Sequence, residues 1–252
     1  MPKQVPGQMA RCVATVIAVS FVATGAVAQE DGTSAAPGVN PKDNITKIEL
    51  LYRYDSLDRG DYTQSLTLKY DRAFNSRWGG NIEIPTVGFK GFGLSETGLG
   101  DIQARLRYTR QVGSASVILG GELVLPTATD DALGRGKYQF NPAVGAVFPL
   151  SETSFVYLGY KHLWSVAGDD MRPDINESQP RLLAAYTSPK GWWALGDLKY
   201  TESWETGARQ VDFDLELGRM VGASTGIWTR LGTSWLDSDR DASVLLGIRF
   251  IQ

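Results

Sequence analysis

Apolar and polar side chains alternate along most of this chain, and this repeat of two residues constrains the fold more than any other feature. Successive side chains of a β-strand point to opposite sides, whereas the same repeat would scatter both kinds of residue around a helix. The segments 62–71, 101–108 and 210–217 show it most clearly, since polar residues fill every position between the mainly apolar ones. Each segment therefore predicts a strand with one apolar and one polar face.

The same alternation, followed along the chain, predicts twelve strands. They are expected near 45–54, 62–72, 78–86, 100–110, 116–125, 139–149, 154–164, 179–186, 192–202, 209–220, 226–235 and 242–250. The connections between them are alternately longer and shorter, which is typical of an up-and-down barrel that crosses an outer membrane. The sequence thus predicts an all-β protein, a single antiparallel transmembrane β-barrel with both ends of its wall in the periplasm.

The charged face of the predicted strands is expected to point inward. A soluble barrel that holds an apolar ligand typically has eight strands and shows a polar exterior to water. Twelve strands enclose more space than side chains easily fill, and buried Arg, Asp and Glu need water or partners. Aromatic residues such as Trp78, Trp164, Trp192 and Trp204 fall at strand ends, where hydrocarbon meets water. The apolar face is therefore predicted to contact lipid.

The N-terminal residues predict export. Lys3 and Arg11 precede an apolar run that ends in a small-x-small pattern at residues 26–28, so residues 1–28 are predicted to be a signal peptide. Residues 29–44 are expected to form a flexible periplasmic leader, and residues 45–252 the barrel. The only cysteine is Cys12. Its removal with the signal excludes disulfides and cysteine-ligated metals from the mature chain, which is expected in the bacterial outer membrane.

Charge and motifs exclude several functions. The formal net charge is -3, and no block of Lys and Arg is long enough to trap nucleic acid phosphates. Nucleotide-binding motifs and metal-ligand spacings are missing from the sequence, so no cofactor or metal is expected. The expected partners are outer-membrane lipids and lipopolysaccharide, the outer-membrane assembly machinery and a small-molecule solute.

Short motifs at several strand ends resemble those of one family. They are Gly98-Leu99-Gly100-Asp101 with the alternation that follows to Arg110, Leu125-Pro126-Thr127, Gly134-Arg135-Gly136 and Pro142-Ala143-Val144-Gly145. In these motifs the chain resembles the outer-membrane barrels of the MetA-pathway-of-phenol-degradation family. The resemblance implies a transporter that passes small, often aromatic or hydrophobic compounds.

Six charged residues are the candidate pore-lining site: Arg105, Arg107, Glu122, Asp212, Asp214 and Glu216. The two arginines lie inward on the fourth predicted strand, and the last three acids lie inward on the tenth, across the lumen. One interpretation is that these opposed walls set up a transverse field that orients solutes. The alternative is that inward neighbours neutralise them, Glu83 and Glu122 beside the arginines and Lys199 and Arg230 beside the acids.

The predicted function is a passive outer-membrane channel, and two alternatives stay open. A structural or adhesive barrel would use the predicted long loops at 87–99, 126–138 and 165–178. An outer-membrane lipid hydrolase would need a serine beside a histidine. The only histidine, His162, is expected on the lipid-facing side, and the nearby Ser165 on the opposite side. The sequence therefore predicts a protein that is not an enzyme.

Overall fold

The computed structural model describes residues 36–252, so the predicted signal peptide (1–28) and residues 29–35 of the predicted leader lie outside the described part. Strands dominate the described chain. They are β1 (Lys47–Leu57), β2 (Tyr62–Ala73), β3 (Trp78–Gly91), β4 (Leu94–Leu99), β5 (Ile102–Val112), β6 (Ala115–Leu125), β7 (Lys137–Pro149), β8 (Ser154–Gly168), β9 (Asn176–Thr187), β10 (Trp192–Ser203), β11 (Arg209–Met220), β12 (Thr225–Leu236) and β13 (Arg240–Ile251). Among these residues, no helix is long and apolar enough to cross a membrane.

The strands form one closed antiparallel sheet, because β1 pairs with both β2 and β13. Ile48, for example, lies opposite Tyr70 of β2 and Phe250 of β13. The short strand β4 pairs with residues 86–91 of β3, and β5 pairs with residues 78–83, so β4 and β5 share one position in the wall. The wall therefore has twelve strand positions, and the predicted twelve-stranded barrel is confirmed.

The loop predicted at 87–99 is a β-hairpin, so this prediction is wrong. β3 continues to Gly91 and the chain returns as β4 after the two-residue turn Phe92-Gly93. Both turn residues have positive φ, 52° and 80°, as a tight hairpin turn of this kind requires. The two-residue repeat does continue through this region, where Phe89 points inward. Glycines on both sides of it are also typical of a loop, so the sequence alone does not mark the hairpin.

The other two long loops are also shorter than predicted. The loop expected at 165–178 spans 169–175, because β8 continues to Gly168 and β9 starts earlier. The loop expected at 126–138 spans 126–136 and contains a single turn of 3-10 helix at Asp131–Leu133. Strand ends are poorly marked in the sequence because the repeat fades gradually into polar residues.

Side chains on the two faces of the wall differ as predicted. Leu66 and Leu215 point outward and are 47% and 45% exposed. Lys69 and Asp212, on the opposite face of the same strands, are each 1% exposed. At the edge of the outer surface, the rings of Trp78 and Tyr108 lie 5.0 Å apart. An apolar exterior with aromatic residues at its edge suits a lipid environment.

The two ends of the barrel have different connections. The turn end carries the connections 74–77, 113–114, 150–153, 188–191 and 221–224. The loop end carries the connections 58–61, 92–93, 126–136, 169–175, 204–208 and 237–239. β1 starts and β13 finishes at the turn end, where Lys47 lies opposite Ile251.

Candidate functional site: the barrel lumen

The six predicted pore-lining residues all lie on the inner face of the wall. Arg105 and Arg107 are on β5, Glu122 is on β6, and Asp212, Asp214 and Glu216 are on β11. Five of them are at most 7% exposed, and Arg107 is half-buried. Two-residue periodicity predicts this inner-face placement for all six residues.

On one side of the lumen, alternating charges run from strand to strand. Lys69 of β2 lies 3.7 Å from Glu49 of β1 and 3.4 Å from Glu83 of β3. Arg105 lies 3.4 Å from Glu83 and forms a second ion pair with Glu122. Glu122 in turn lies 3.3 Å from Lys161 of β8. Acids and bases thus neutralise one another along this side.

The opposite side repeats the arrangement. Arg230 bridges Asp197 and Glu216, and Lys199 lies 3.0 Å from Asp212. Arg240 of β13 contacts Asp212 at 2.7 Å. We call the whole set the charge girdle: Glu49, Asp55, Lys69, Glu83, Arg105, Glu122, Lys161, Arg181, Asp197, Lys199, Asp212, Glu216, Arg230, Arg240 and Arg249.

The contacts of the charge girdle show which side chains neutralise the candidate pore-lining residues. Arg105 contacts Glu83 and Glu122, as the interpretation based on inward neighbours requires. Asp212 and Glu216 contact Lys199 and Arg230 in the same way. These charges are paired within their own side of the lumen, where a low local dielectric constant strengthens each ion pair. Arg107 differs, because its hydrogen-bond partners are main-chain carbonyls.

Toward the turn end the lumen is filled by apolar and aromatic side chains. We call this set the aromatic layer: Ile118, Val147, Phe155, Tyr157, Leu183, Ala185, Trp193, Leu195, Trp228 and Leu245. Trp193 and Trp228 lie over the glycines directly opposite them, Gly218 and Gly247. A Cβ at either glycine would lie 2.1–2.2 Å from the indole, so the glycines make room for the flat rings. Only the strand register reveals these pairs.

Residues 36–46, which we call the inner segment, enter the lumen from the turn end. Ala36 and Val39 are 1% and 4% exposed and pack in the aromatic layer. Asn44 donates a side-chain hydrogen bond to the carbonyl of Ser76 in a turn, at 3.3 Å. Arg249 of β13 donates to the carbonyl of Pro37 at 3.1 Å. The inner segment therefore occupies the turn end of the lumen.

At the loop end, the 126–136 loop folds over the mouth. Leu133 is fully buried against Val87 and Phe89 of β3. The buried carboxylate of Asp101 accepts hydrogen bonds from the amides of Ala128 and Arg135, at 3.2 and 2.8 Å. Below this loop, a cavity of about 20 Å³ lies among polar side chains, large enough for a water molecule. Both ends of the lumen are thus narrowed.

The outer surface places His162 beside a serine that the sequence analysis missed. Ser178 of β9 is the cross-strand partner of His162. Its hydroxyl lies 2.9 Å from the Tyr160 hydroxyl and accepts a hydrogen bond from Trp204 Nε1, also 2.9 Å long. His162 Nδ1 lies 3.4 Å from the same tyrosine hydroxyl, while Ser165 donates to Asp174 in a loop. Ser178 thus forms its hydrogen bonds with Tyr160 and Trp204, and His162 contacts only the Tyr160 hydroxyl.

Metal-ligating side chains are also placed apart. Within residues 36–252, no group of three or more His, Cys, Asp or Glu side chains is arranged to hold a metal ion.

Comparisons with known proteins show the fold. No family model and no curated protein match the chain. A COG4313 outer membrane channel from Pseudomonas putida F1 is similar with a TM-score of 0.68 and 14% identity, over 90% of this chain and 100% of that one. A KdgM porin is similar with a TM-score of 0.59 and 10% identity, over 81% and 98%. The CymD monoaromatic hydrocarbon channel is similar with a TM-score of 0.50 and 9% identity, over 82% of this chain and 88% of that one. The chain shares the fold of these outer-membrane channel barrels.

Proposed function

We propose that the chain is a passive channel of the bacterial outer membrane that carries small solutes through its lumen. The observation that carries the proposal is the distribution of side chains across a closed wall. Apolar residues such as Leu66 and Leu215 cover the outside, and the charge girdle lines the inside. A closed barrel leaves no backbone group unpaired in lipid, and its polar interior suits an aqueous path. The porins and channels of similar fold support the same function.

The orientation and the surroundings follow from the same proposal. Short turns face the periplasm and longer loops face outward in barrels of this class, so the turn end is assigned to the periplasm. The exposed apolar surface contacts outer-membrane lipids, and the exposed aromatic residues near the loop end, such as Trp164 and Trp235, lie near lipopolysaccharide. Insertion requires the outer-membrane assembly machinery.

A finer proposal concerns the family and the solute. We infer that the chain is a member of the MetA-pathway-of-phenol-degradation barrels and passes small aromatic or hydrophobic compounds. Its motif residue Asp101 supports this assignment by holding the loop that narrows the mouth. The aromatic layer supports it as well, since it places apolar side chains such as Trp193 and Trp228 inside the lumen. The similar fold of a monoaromatic hydrocarbon channel agrees with this solute class.

Solute flux into liposomes tests the proposed function. Liposomes that contain the purified protein should swell in solutions of small sugars, amino acids and aromatic compounds, because each enters through the lumen. Liposomes with heat-unfolded protein are the control. If folded barrels leave every one of these solutes outside, both with the inner segment and without residues 36–43, the proposed function is contradicted.

The six candidate residues are proposed to line the path, and ion selectivity tests their role. In the variant Asp212→Asn, Asp214→Asn, Glu216→Gln, Lys199 loses its pairing with Asp212, and Arg230 loses Glu216 and keeps only Asp197. The reversal potential in a salt gradient should shift toward anions, because the lumen gains uncompensated positive charge. Asp170→Asn, in an exposed loop, is the matched control and should leave the potential unchanged. An unchanged potential in the triple variant contradicts the assignment.

A further inference from the structure

Arg107 differs from the bases of the charge girdle in its partners. Within residues 36–252, no carboxylate lies within 4.0 Å of its guanidinium, whereas every base of the girdle has one at that distance. Its partners are main-chain carbonyls of the inner segment. Nη1 donates to Pro41 at 3.1 Å and Nη2 donates to Asp43 at 3.0 Å.

These two carbonyl oxygens occupy the places that a carboxylate takes on an arginine. Two oxygens facing two terminal nitrogens is the bidentate pattern of an arginine and a carboxylate. A neutral carbonyl satisfies the donors but forms no ion pair with the guanidinium. If the inner segment leaves, Arg107 keeps its charge in the lumen and loses both of these acceptors.

A small cavity beside Arg107 has a largely apolar lining. Its volume is about 10 Å³, and Ile118, Ala143 and Tyr157 line it together with Arg105 and Asn141. Ile118 and Tyr157 belong to the aromatic layer into which Ala36 and Val39 of the inner segment pack. The inner segment thus combines oxygen acceptors on Arg107 with apolar groups in the adjacent layer.

We propose that Arg107 is an anion-binding residue of the solute path and that the inner segment occupies its site until a small carboxylate with an apolar body displaces it. The carboxylate replaces the carbonyls of Pro41 and Asp43, and the apolar body replaces Ala36 and Val39. The inference rests on the proposed channel function and adds a ligand class and a mode of opening to it.

Bilayer recordings with benzoate as the probe test this proposal. In a variant that lacks residues 36–43, Arg107 is open to the lumen, and benzoate should bind there and reduce the chloride current. Arg107→Gln in the same background should raise the half-blocking benzoate concentration roughly tenfold, because a charge-assisted pair of hydrogen bonds is lost. Arg107→Lys keeps the charge and should retain part of the block, and neutral benzyl alcohol should act equally on all variants.

In the full-length protein, which keeps the inner segment, Arg107→Gln should change the current that is measured without benzoate. Arg107→Gln loosens the inner segment there, so the basal current should rise, and benzoate should no longer increase it. Arg110→Gln is the matched control, since Arg110 lies on the same strand with an exposed side chain. An equal increase in current on addition of benzoate in the two glutamine variants overturns the inference. A deletion variant that folds and passes no current contradicts the proposed function instead.

Discussion

The two ends of the lumen are closed in different ways. At the turn end, the inner segment packs apolar residues such as Val39 into the aromatic layer, and within residues 36–252 its chain runs into the wall only at β1. At the loop end, the 126–136 loop is joined to β6 and to β7 and is held by the carboxylate of Asp101. A segment fixed at one end of its described length can leave the lumen without opening the wall, whereas a loop fixed at both ends can only shift. The turn end is therefore the expected gate.

The two ends should differ most in their effect on the current when a carboxylate replaces a buried apolar side chain, first in the inner segment and then in the 126–136 loop. Val39→Asp puts a charge into the aromatic layer, and the inner segment escapes this cost by leaving the lumen. The single-channel current should increase severalfold, while the temperature of barrel unfolding stays close to that of the wild type. An unchanged current in this variant contradicts the proposed gate.

Leu133→Asp is the matched change at the loop end. Leu133 is fully buried against Val87 and Phe89, and the loop cannot move far from them. We expect a clear loss of thermal stability with a smaller gain in current than for Val39→Asp. If the two variants have equal currents, the ends do not differ in the proposed way.

The pH dependence of the current should be intermediate in size and should come from the turn end. Burial raises the pKa of the Asp43 carboxyl from 3.8 to about 6, although Lys42, Arg107 and Lys47 lower it. The docked segment therefore retains a proton between these two values, and docking weakens as the pH rises from about 4 to about 6. The current should increase over this range and stay level at higher pH. Asp43→Asn removes the titrating group and should abolish this increase.

The smallest effect is expected from an ion pair at the loop end. Glu177 of β9 pairs with Arg135, and both side chains are slightly exposed at the mouth. Glu177→Gln should change the current by less than Leu133→Asp does, because water screens a charge near the surface. A current as large as that of Val39→Asp would show that the loop end carries the gate.

The sequence was sufficient for the wall of the barrel. In a two-residue repeat, a shift of one residue would turn every side chain to the other face, so the pattern around Leu66 and Thr67 fixes the orientation of β2. Strand ends were less certain, and the hairpin at Phe92-Gly93 was missed. Its glycines are as compatible with a loop as with a tight turn.

The contents of the lumen could not be predicted in the same way. The inner segment contains Pro37, Gly38 and Pro41 and has no repeat that would mark it as buried. The contacts of Arg107 join residues 64 and 66 positions apart, and only the closed barrel brings them together. The pairing of Trp193 with Gly218 depends on strand register, which periodicity alone does not give.

The central claim is that lipid lies outside this wall and the solute path inside it. The most direct measurement is the free energy of unfolding in lipid vesicles for two neighbouring substitutions on β2. Leu66→Arg should lower the free energy of unfolding by about 2 to 4 kcal/mol, because it places a charge in the hydrocarbon region. Thr67→Arg, which faces the lumen, should lose much less. Equal losses, or a larger loss for Thr67→Arg, would contradict the claim.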